Sequence, residues 1–110
     1  YVPSMAEAPE QLAAEDINAI LDAYPSVYRP EEDQQQWFAS IKALCPSLGF
    51  CPEVKEYKAH PEGWKGHAGD MSTVLRLAVT GRRNTPDLCS IMRLLGTEKV
   101  RQRLRQARRG

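Results

Sequence analysis

The 110-residue sequence contains few of the residues that build metal sites and disulfide cross-links. It has three cysteines, an odd number without a Cys-x-x-Cys spacing, and its two histidines do not complete the tetrahedral pattern that zinc prefers. We therefore predict no metal site and no disulfide framework. Reduced thiols are typical of the cytosol, so the sequence predicts a cytoplasmic protein.

Long apolar runs and catalytic motifs are also missing from the sequence. No run approaches the roughly 20 apolar residues that cross a bilayer, and no signal peptide is recognisable, so we expect no membrane association. The sequence has no nucleophile elbow, phosphate-binding glycine loop or paired His-Glu helix. We expect this chain to perform no catalysis and to bind no cofactor itself.

Apolar residues recur with helical spacing, and no segment alternates with period two as half-buried strands do. The sequence predicts an all-α fold, a compact bundle of about five or six helices that forms a single domain over residues 1–110. In the first two thirds of the chain we expect three helices. The first spans residues 9–24, the second runs from Pro30 to a stop or kink near Pro46, and the third spans residues 53–59.

The last third of the chain contains boundary signals for three helices. Asp70 can cap the first helix, and Gly81 can end it with the left-handed backbone that glycine adopts easily. Thr85 and Pro86 are typical of a cap and a first helical residue, and Gly96 can end this second helix. Its apolar residues, which we expect in the core, are Leu88, Ile91, Met92 and Leu95.

The third of these helices is basic. Thr97 can cap it, and a narrow apolar stripe is surrounded by Arg101, Arg103, Arg105, Arg108 and Arg109. Residues 93–110 have a net charge of +6, whereas residues 1–40 have eight acidic residues and one arginine. Either the basic end faces a polyanion, or the acidic helix packs beside the basic one.

Arg76 is the main candidate for contact with a ligand. At about 100° per residue it lies opposite the apolar stripe of its helix, on the polar face that holds Ser72, Thr73 and Thr80. A guanidinium among hydroxyls can form paired hydrogen bonds to a phosphate or to the edge of a base. The alternative is an exposed arginine that meets only solvent or a nearby carboxylate.

Two loops contain further candidate contacts with a nucleic acid. Arg82, Arg83 and Asn84 lie beside the N–H groups that begin the next helix, an arrangement that attracts anions or is simply a solvated turn. Trp64 and Lys65 place an aromatic ring beside a positive charge, as RNA-binding surfaces do. Trp64 could equally anchor its own loop against the core.

These residues also resemble a known family. The order of motifs is similar to the C-terminal anticodon-binding domain of bacterial glutamyl-tRNA synthetases, in the longer form found in clostridia-like bacteria. The matching motifs are Trp-Phe at 37–38, Lys-Gly-x-x-Gly-Asp at 65–70, Leu-Arg-Leu-Ala-Val-Thr-Gly at 75–81, Pro-x-Leu at 86–88 and Leu-Leu-Gly at 94–96. The resemblance covers about residues 24–104.

The resemblance implies that Arg76, Thr85, Pro86 and Leu88 approach the middle and third anticodon bases of tRNA-Glu. It implies a fragment without catalytic activity, attached in the same protein to an upstream catalytic domain that uses ATP and magnesium. We expect such a protein to be a monomer.

Two other functions remain open on the sequence alone. The two last helices, joined at Gly96 and Thr97, also fit a helix-turn-helix DNA-binding domain with Arg101 and Arg105 in the major groove. The same apolar grooves could instead belong to a protein-interaction module without affinity for nucleic acids.

Overall fold

The computed structural model describes residue 8, residues 12–81 and residues 88–108. These residues form six α-helices and one short 3-10 helix, and they include no strand beyond one isolated parallel bridge between Cys51 and His67. The predicted all-α fold is therefore confirmed. The elements are α1 Ala14–Ala23, the 3-10 helix Tyr24–Ser26, α2 Gln34–Leu48, α3 Val54–Ala59, α4 Ala68–Thr80, α5 Leu88–Leu95 and α6 Thr97–Gln106.

Helix α4 lies at the centre of the bundle and packs against α1, α2 and α6. Eight of its thirteen residues are buried, more than a helix with a single apolar stripe would bury. These residues are Ala68, Met71, Ser72, Val74, Leu75, Leu77, Ala78 and Val79. Because three other helices cover α4, what remains partly exposed among the described residues is Asp70 in the first turn and a narrow line along one side of the helix.

The first two helices begin later than predicted. Residues 9–11 lie outside the described residues, and α1 begins at Ala14. Helix α2 begins at Gln34, not at Pro30, because Asp33 caps it: the Asp33 carboxylate accepts the backbone N–H of Gln36 at 2.7 Å. The Pro30 carbonyl instead accepts a hydrogen bond from Nε of Arg93 at 3.0 Å.

The predicted caps of α4 and α6 are each displaced from the structural caps. His67 caps α4, since its Nδ1 accepts the N–H of Gly69 at 2.9 Å. Asp70 lies three residues later and accepts the backbone N–H of His67 at 3.0 Å, which completes a capping box. Gly96 occupies the cap position of α6, and Thr97 is the first residue of that helix.

The glycine-based helix ends are confirmed. Of the stop or kink expected near Pro46, the stop is wrong, and the kink stays a prediction. Helix α4 ends at Gly81, which has a φ of 74°, and Gly96 follows α5 with a φ of 88°. Helix α2 continues beyond Pro46 to Leu48 and ends at Gly49, where φ is 85°. Pro46 lies in the last turn and offers no N–H to the carbonyl four residues earlier, so it costs one intrahelical hydrogen bond without ending the helix.

The predicted apolar stripe of α5 is only partly confirmed. Leu88 and Met92 are fully buried, whereas Ile91 and Leu95 are partly buried against the core. Leu94, next to Leu95, is 88% exposed. With Cys89, which is 7% exposed, the short helix α5 thus contributes three buried residues and two peripheral ones to the core.

Helices α1 and α6 pack together, so the acidic and basic segments meet within the molecule. Nε of Arg108 lies 3.0 Å from a carboxylate oxygen of Asp22. This contact supports the interpretation that the acidic helix packs beside the basic one. Arg101 and Arg105 are exposed and make no ion pair with any described residue.

Arg103 has a structural contact that the sequence did not indicate. Its guanidinium donates a hydrogen bond of 2.7 Å to the carbonyl of Val79, in the last turn of α4. The last carbonyls of a helix have no partner within it, and they also carry the negative end of its dipole. Arg103 therefore joins α6 to the end of α4 that precedes Gly81.

We expect Arg103→Ala to reduce the free energy of unfolding by about 1.5–3 kcal/mol, the usual effect of losing a hydrogen bond from a charged donor. Urea denaturation of the purified chain measures this change. Arg105→Ala, at an exposed position of the same helix, is the matched control and should change stability by less than about 0.5 kcal/mol. Equal stability of the two variants would contradict the contact.

Candidate nucleic-acid interface

A narrow polar line runs along the exposed side of α4. Gly69, Thr73, Arg76 and Thr80 are all partly exposed, and they repeat at intervals of four, three and four residues. We call these four residues the α4 line. Ser72, which the sequence placed on the same face, is buried and does not belong to it.

The two threonines of the α4 line donate their hydroxyl protons to the backbone of the same helix. Oγ1 of Thr73 lies 3.0 Å from the carbonyl of Gly69, and Oγ1 of Thr80 lies 2.7 Å from the carbonyl of Arg76. A hydroxyl that donates in this way keeps its acceptor lone pairs. On either side of Arg76 the line therefore offers acceptors to a ligand.

The Arg76 guanidinium lies over an aromatic ring of α2. Its Cζ is 5.3 Å from the centroid of the Trp37 ring, within the distance of a cation–π interaction. Trp37 is 1% exposed, so the ring belongs to the core while the arginine above it is partly exposed. The arginine is thus neither fully solvated nor paired only with a carboxylate.

A chain of buried polar contacts continues below Trp37. Its indole N–H donates to the hydroxyl of Tyr24 at 2.8 Å, and that hydroxyl lies 4.0 Å from the sulfur of Met92 on α5. Burial raises the pKa of Tyr24 well above its usual value, so its hydroxyl stays protonated and can donate. Side chains from two other elements, the 3-10 helix and α5, therefore support the ring that meets Arg76.

Of the remaining predicted anticodon contacts, the structure describes only Leu88. Thr85 and Pro86, together with Arg82, Arg83 and Asn84, lie outside the described residues, and their predicted roles stay predictions. Leu88 is 0% exposed and belongs to the core at the beginning of α5. Its side chain offers no surface to a base in this conformation.

Lys65 and Trp64 lie in the loop before α4. The ammonium of Lys65 is 2.7 Å from a carboxylate oxygen of Asp16, in α1, and thus ties the loop to that helix. Trp64 is partly buried, which fits both the RNA-stacking and the anchoring interpretations. The hydrogen bond from Lys65 holds the pKa of Asp16 below its ordinary value of 3.8, and the same contact raises the pKa of Lys65.

These shifts predict how the contact depends on pH. A carboxylate whose pKa is lowered by folding stabilises the fold above its unfolded pKa and loses this effect as pH falls through the folded value. We expect wild type to melt at a higher temperature than Lys65→Gln at pH 7, and this difference to shrink below about pH 4. Thermal melts between pH 2.5 and 7 measure it, and a difference that does not change with pH would contradict the pairing.

The sequence pattern missed the role of Trp37 beside Arg76. The two residues lie on different helices, and local spacing carries no information about which aromatic residue meets which arginine. The Trp-Phe motif was the only available signal, and it indicated a core position. The structure confirms that position and adds the contact with the guanidinium.

Within the part of the chain that the structure describes, every helix is too short or too polar to cross a bilayer. Residues 56–108 match the family described as "Anticodon binding domain". This stretch includes most of α3, all of α4, α5 and α6, and the candidate residue Arg76. This part of the chain is similar to the anticodon-binding domains of that family.

The chain is also similar to glutamate–tRNA ligases. It is 40% identical over 106 residues to the ligase of Acetivibrio thermocellus, a match that covers 96% of this chain and 19% of that protein. Identity is 42% over 96 residues with the ligase of Sorangium cellulosum, which covers 87% and 17% of the two chains. With the ligase of Clostridium perfringens strain 13 it is 39% over 98 residues, covering 89% and 18%.

The chain spans about a fifth of the length of the curated relatives that it matches. No solved structure matches it significantly. The similarity to clostridial ligases, among others, confirms the resemblance indicated by the sequence motifs.

Proposed function

We propose that this chain is the anticodon-reading module of a glutamate–tRNA ligase and that it binds the anticodon of tRNA-Glu. The single observation that carries the proposal is the position of Arg76. It is a partly exposed arginine on the central helix of a domain whose family is described as anticodon-binding. The chemistry of the module is binding and discrimination; catalysis belongs to another part of the protein.

The α4 line suits the recognition of unstacked bases. Anticodon bases in a loop expose hydrogen-bonding edges and flat faces, and a guanidinium can donate to an edge while the surrounding surface packs a face. Arg76 supplies the donor, and Thr73 and Thr80 supply acceptors on either side of it. In this proposal Thr85 and Pro86 complete the contact, and Leu88 acts by fixing the start of α5.

The backbone of the RNA takes weaker, less specific contacts in the same proposal. Arg82, Arg83 and Asn84, which follow α4 in the sequence, supply positive charge and donors. Trp64 and Lys65 add a ring and a charge from the preceding loop, although Lys65 must share its ammonium with Asp16. Such contacts strengthen binding without distinguishing between anticodons.

The proposal for the whole protein follows from its relatives, which are named glutamate–tRNA ligases. We propose that the chain is joined to an upstream catalytic domain that uses ATP and magnesium, and that the protein is a cytoplasmic monomer. Reading the anticodon then holds the acceptor end of the tRNA at the distant catalytic site. No cofactor or metal is proposed for the chain itself.

The helix-turn-helix alternative is not favoured by the connection between α5 and α6. A single residue, Gly96, separates the two helices, whereas such motifs use a turn of three or four residues. Arg103 in the second of these helices also bonds to the backbone of α4. The geometry therefore gives no specific support to insertion of α6 into a DNA groove.

Binding at a fixed salt concentration tests the proposal, because phosphate contacts make every affinity depend on salt. We expect the chain to bind tRNA-Glu more tightly than the same tRNA with a changed middle anticodon base, and more tightly than duplex DNA of similar charge. Fluorescence anisotropy with labelled nucleic acids measures these affinities. Duplex DNA binding at least as tight as tRNA-Glu binding would contradict the proposal.

A further inference from the structure

The contact between Arg76 and Trp37 joins an exposed candidate reader to a buried support. The guanidinium carbon lies 5.3 Å from the ring centroid, and the ring is 1% exposed. An arginine side chain has several rotatable bonds, and holding it in one geometry costs conformational entropy. A contact with a fixed ring face restricts that freedom before any ligand arrives.

The ring itself is held from below. The indole N–H of Trp37 is bonded to the Tyr24 hydroxyl at 2.8 Å, and Tyr24 is buried in the 3-10 helix that follows α1. The hydroxyl lies 4.0 Å from the sulfur of Met92 on α5. The ring plane under Arg76 is therefore fixed by residues outside α4.

We propose that Trp37 is a positioning residue that orients the Arg76 guanidinium for recognition of an anticodon base. This inference rests on the proposed function, since it assumes that Arg76 reads a base. Trp37 itself touches no nucleotide in the proposal, because its side chain lies in the core.

The geometry gives the contact a definite physical role. Attraction to the face of a ring limits where the guanidinium can lie, and the N–H groups that point away from the ring can still donate hydrogen bonds. An arginine positioned in advance loses less entropy when it binds, and a donor fixed in direction tolerates fewer base edges. Loss of the ring should therefore reduce discrimination between anticodons, an effect that a loss of protein stability alone would not produce.

The test uses the full-length ligase that contains this chain and measures a discrimination ratio. This ratio is kcat/KM for tRNA-Glu divided by kcat/KM for tRNA-Glu with a changed middle anticodon base. A loss of folded protein lowers both values equally and leaves the ratio unchanged. A displaced Arg76 lowers the first value more than the second.

We expect Trp37→Leu to lower the discrimination ratio by about 2- to 30-fold, the range that corresponds to a cation–π contact. Trp37→Phe keeps a ring face and should lower it less. Tyr24→Phe removes the acceptor of the indole N–H and should lower it by about twofold or more while leaving the packing nearly intact. Leu104→Ala, a buried change on α6, is the control for lost stability and should leave the ratio unchanged.

Combining the substitutions with Arg76→Ala separates the possible outcomes. If Trp37 acts through Arg76, Trp37→Leu should cause no further loss of the ratio in the Arg76→Ala background. A ratio that falls with Arg76→Ala but not with Trp37→Leu, Trp37→Phe or Tyr24→Phe would overturn the positioning role and leave the proposed function intact. A ratio unaffected by Arg76→Ala would overturn both.

Discussion

Arg76→Ala in the full-length ligase is expected to reduce kcat/KM for tRNA-Glu by about 5- to 150-fold, equivalent to about 1–3 kcal/mol of lost base recognition. The same substitution should affect tRNAs with a changed middle anticodon base much less, because they do not make the lost contact. Arg76 is only partly exposed and lies over Trp37, so the ring limits the positions that the guanidinium can take before a ligand binds.

Arg105→Ala is the matched control for charge. Arg105 is exposed on α6, so its removal should weaken all tRNAs alike or have no effect. Steady-state glutamylation kinetics with cognate and altered tRNAs measures both variants. An equal loss for every anticodon after Arg76→Ala would mean that Arg76 contacts only phosphate.

Leu75→Ala is expected to have the largest effect on stability. Leu75 is fully buried in α4, which three other helices cover, so the cavity left by truncation has little room to collapse. Such substitutions cost about 2–5 kcal/mol, and each kcal/mol lowers the melting temperature of a domain of this size by about 4–8 °C. Thermal and urea denaturation of the chain measure the loss.

Two adjacent leucines on α5 provide graded controls. Leu95 is partly buried, so Leu95→Ala should cost less than Leu75→Ala. Leu94 is 88% exposed, so Leu94→Ala should leave the melting temperature nearly unchanged. A destabilisation of similar size in all three variants would show that the assigned burial is wrong.

Much of the fold could be predicted from helical periodicity. The residues Val100, Leu104 and Ala107 repeat with helical spacing, and all three are buried in the structure. Glycine also marked the helix ends correctly at Gly81 and Gly96, because few other residues adopt a positive φ.

The helix beginnings were harder to predict because several residues could cap each helix. Asp33 caps α2 although Pro30 also carries a start signal, and the contact of Arg93 with the Pro30 carbonyl is a tertiary one. His67 caps α4 although histidine is not a usual cap residue. The spacing of Asp33 and Gln36 is that of a capping box, so this cap had a local signal in the sequence, whereas the histidine cap at His67 had none.

The candidate site was predicted only in part. Helical geometry correctly placed Arg76 with Thr73 and Thr80 on one face, since that relation is local. The contacts of Arg76 with Trp37 and of Lys65 with Asp16 join residues that are distant in the sequence. Only the packing of α2 and α1 around the rest of the bundle brings these pairs together.

The most direct test of the central claim is an NMR titration of the chain with the anticodon stem-loop of tRNA-Glu. We predict that the side-chain Nε–H resonance of Arg76 shifts on binding, together with the backbone resonances of Thr73 and Thr80. A stem-loop with a changed middle anticodon base should cause smaller shifts at the same concentration. Shifts confined to the exposed face of α6, with Arg76 unchanged, would contradict the claim that the α4 line reads the anticodon.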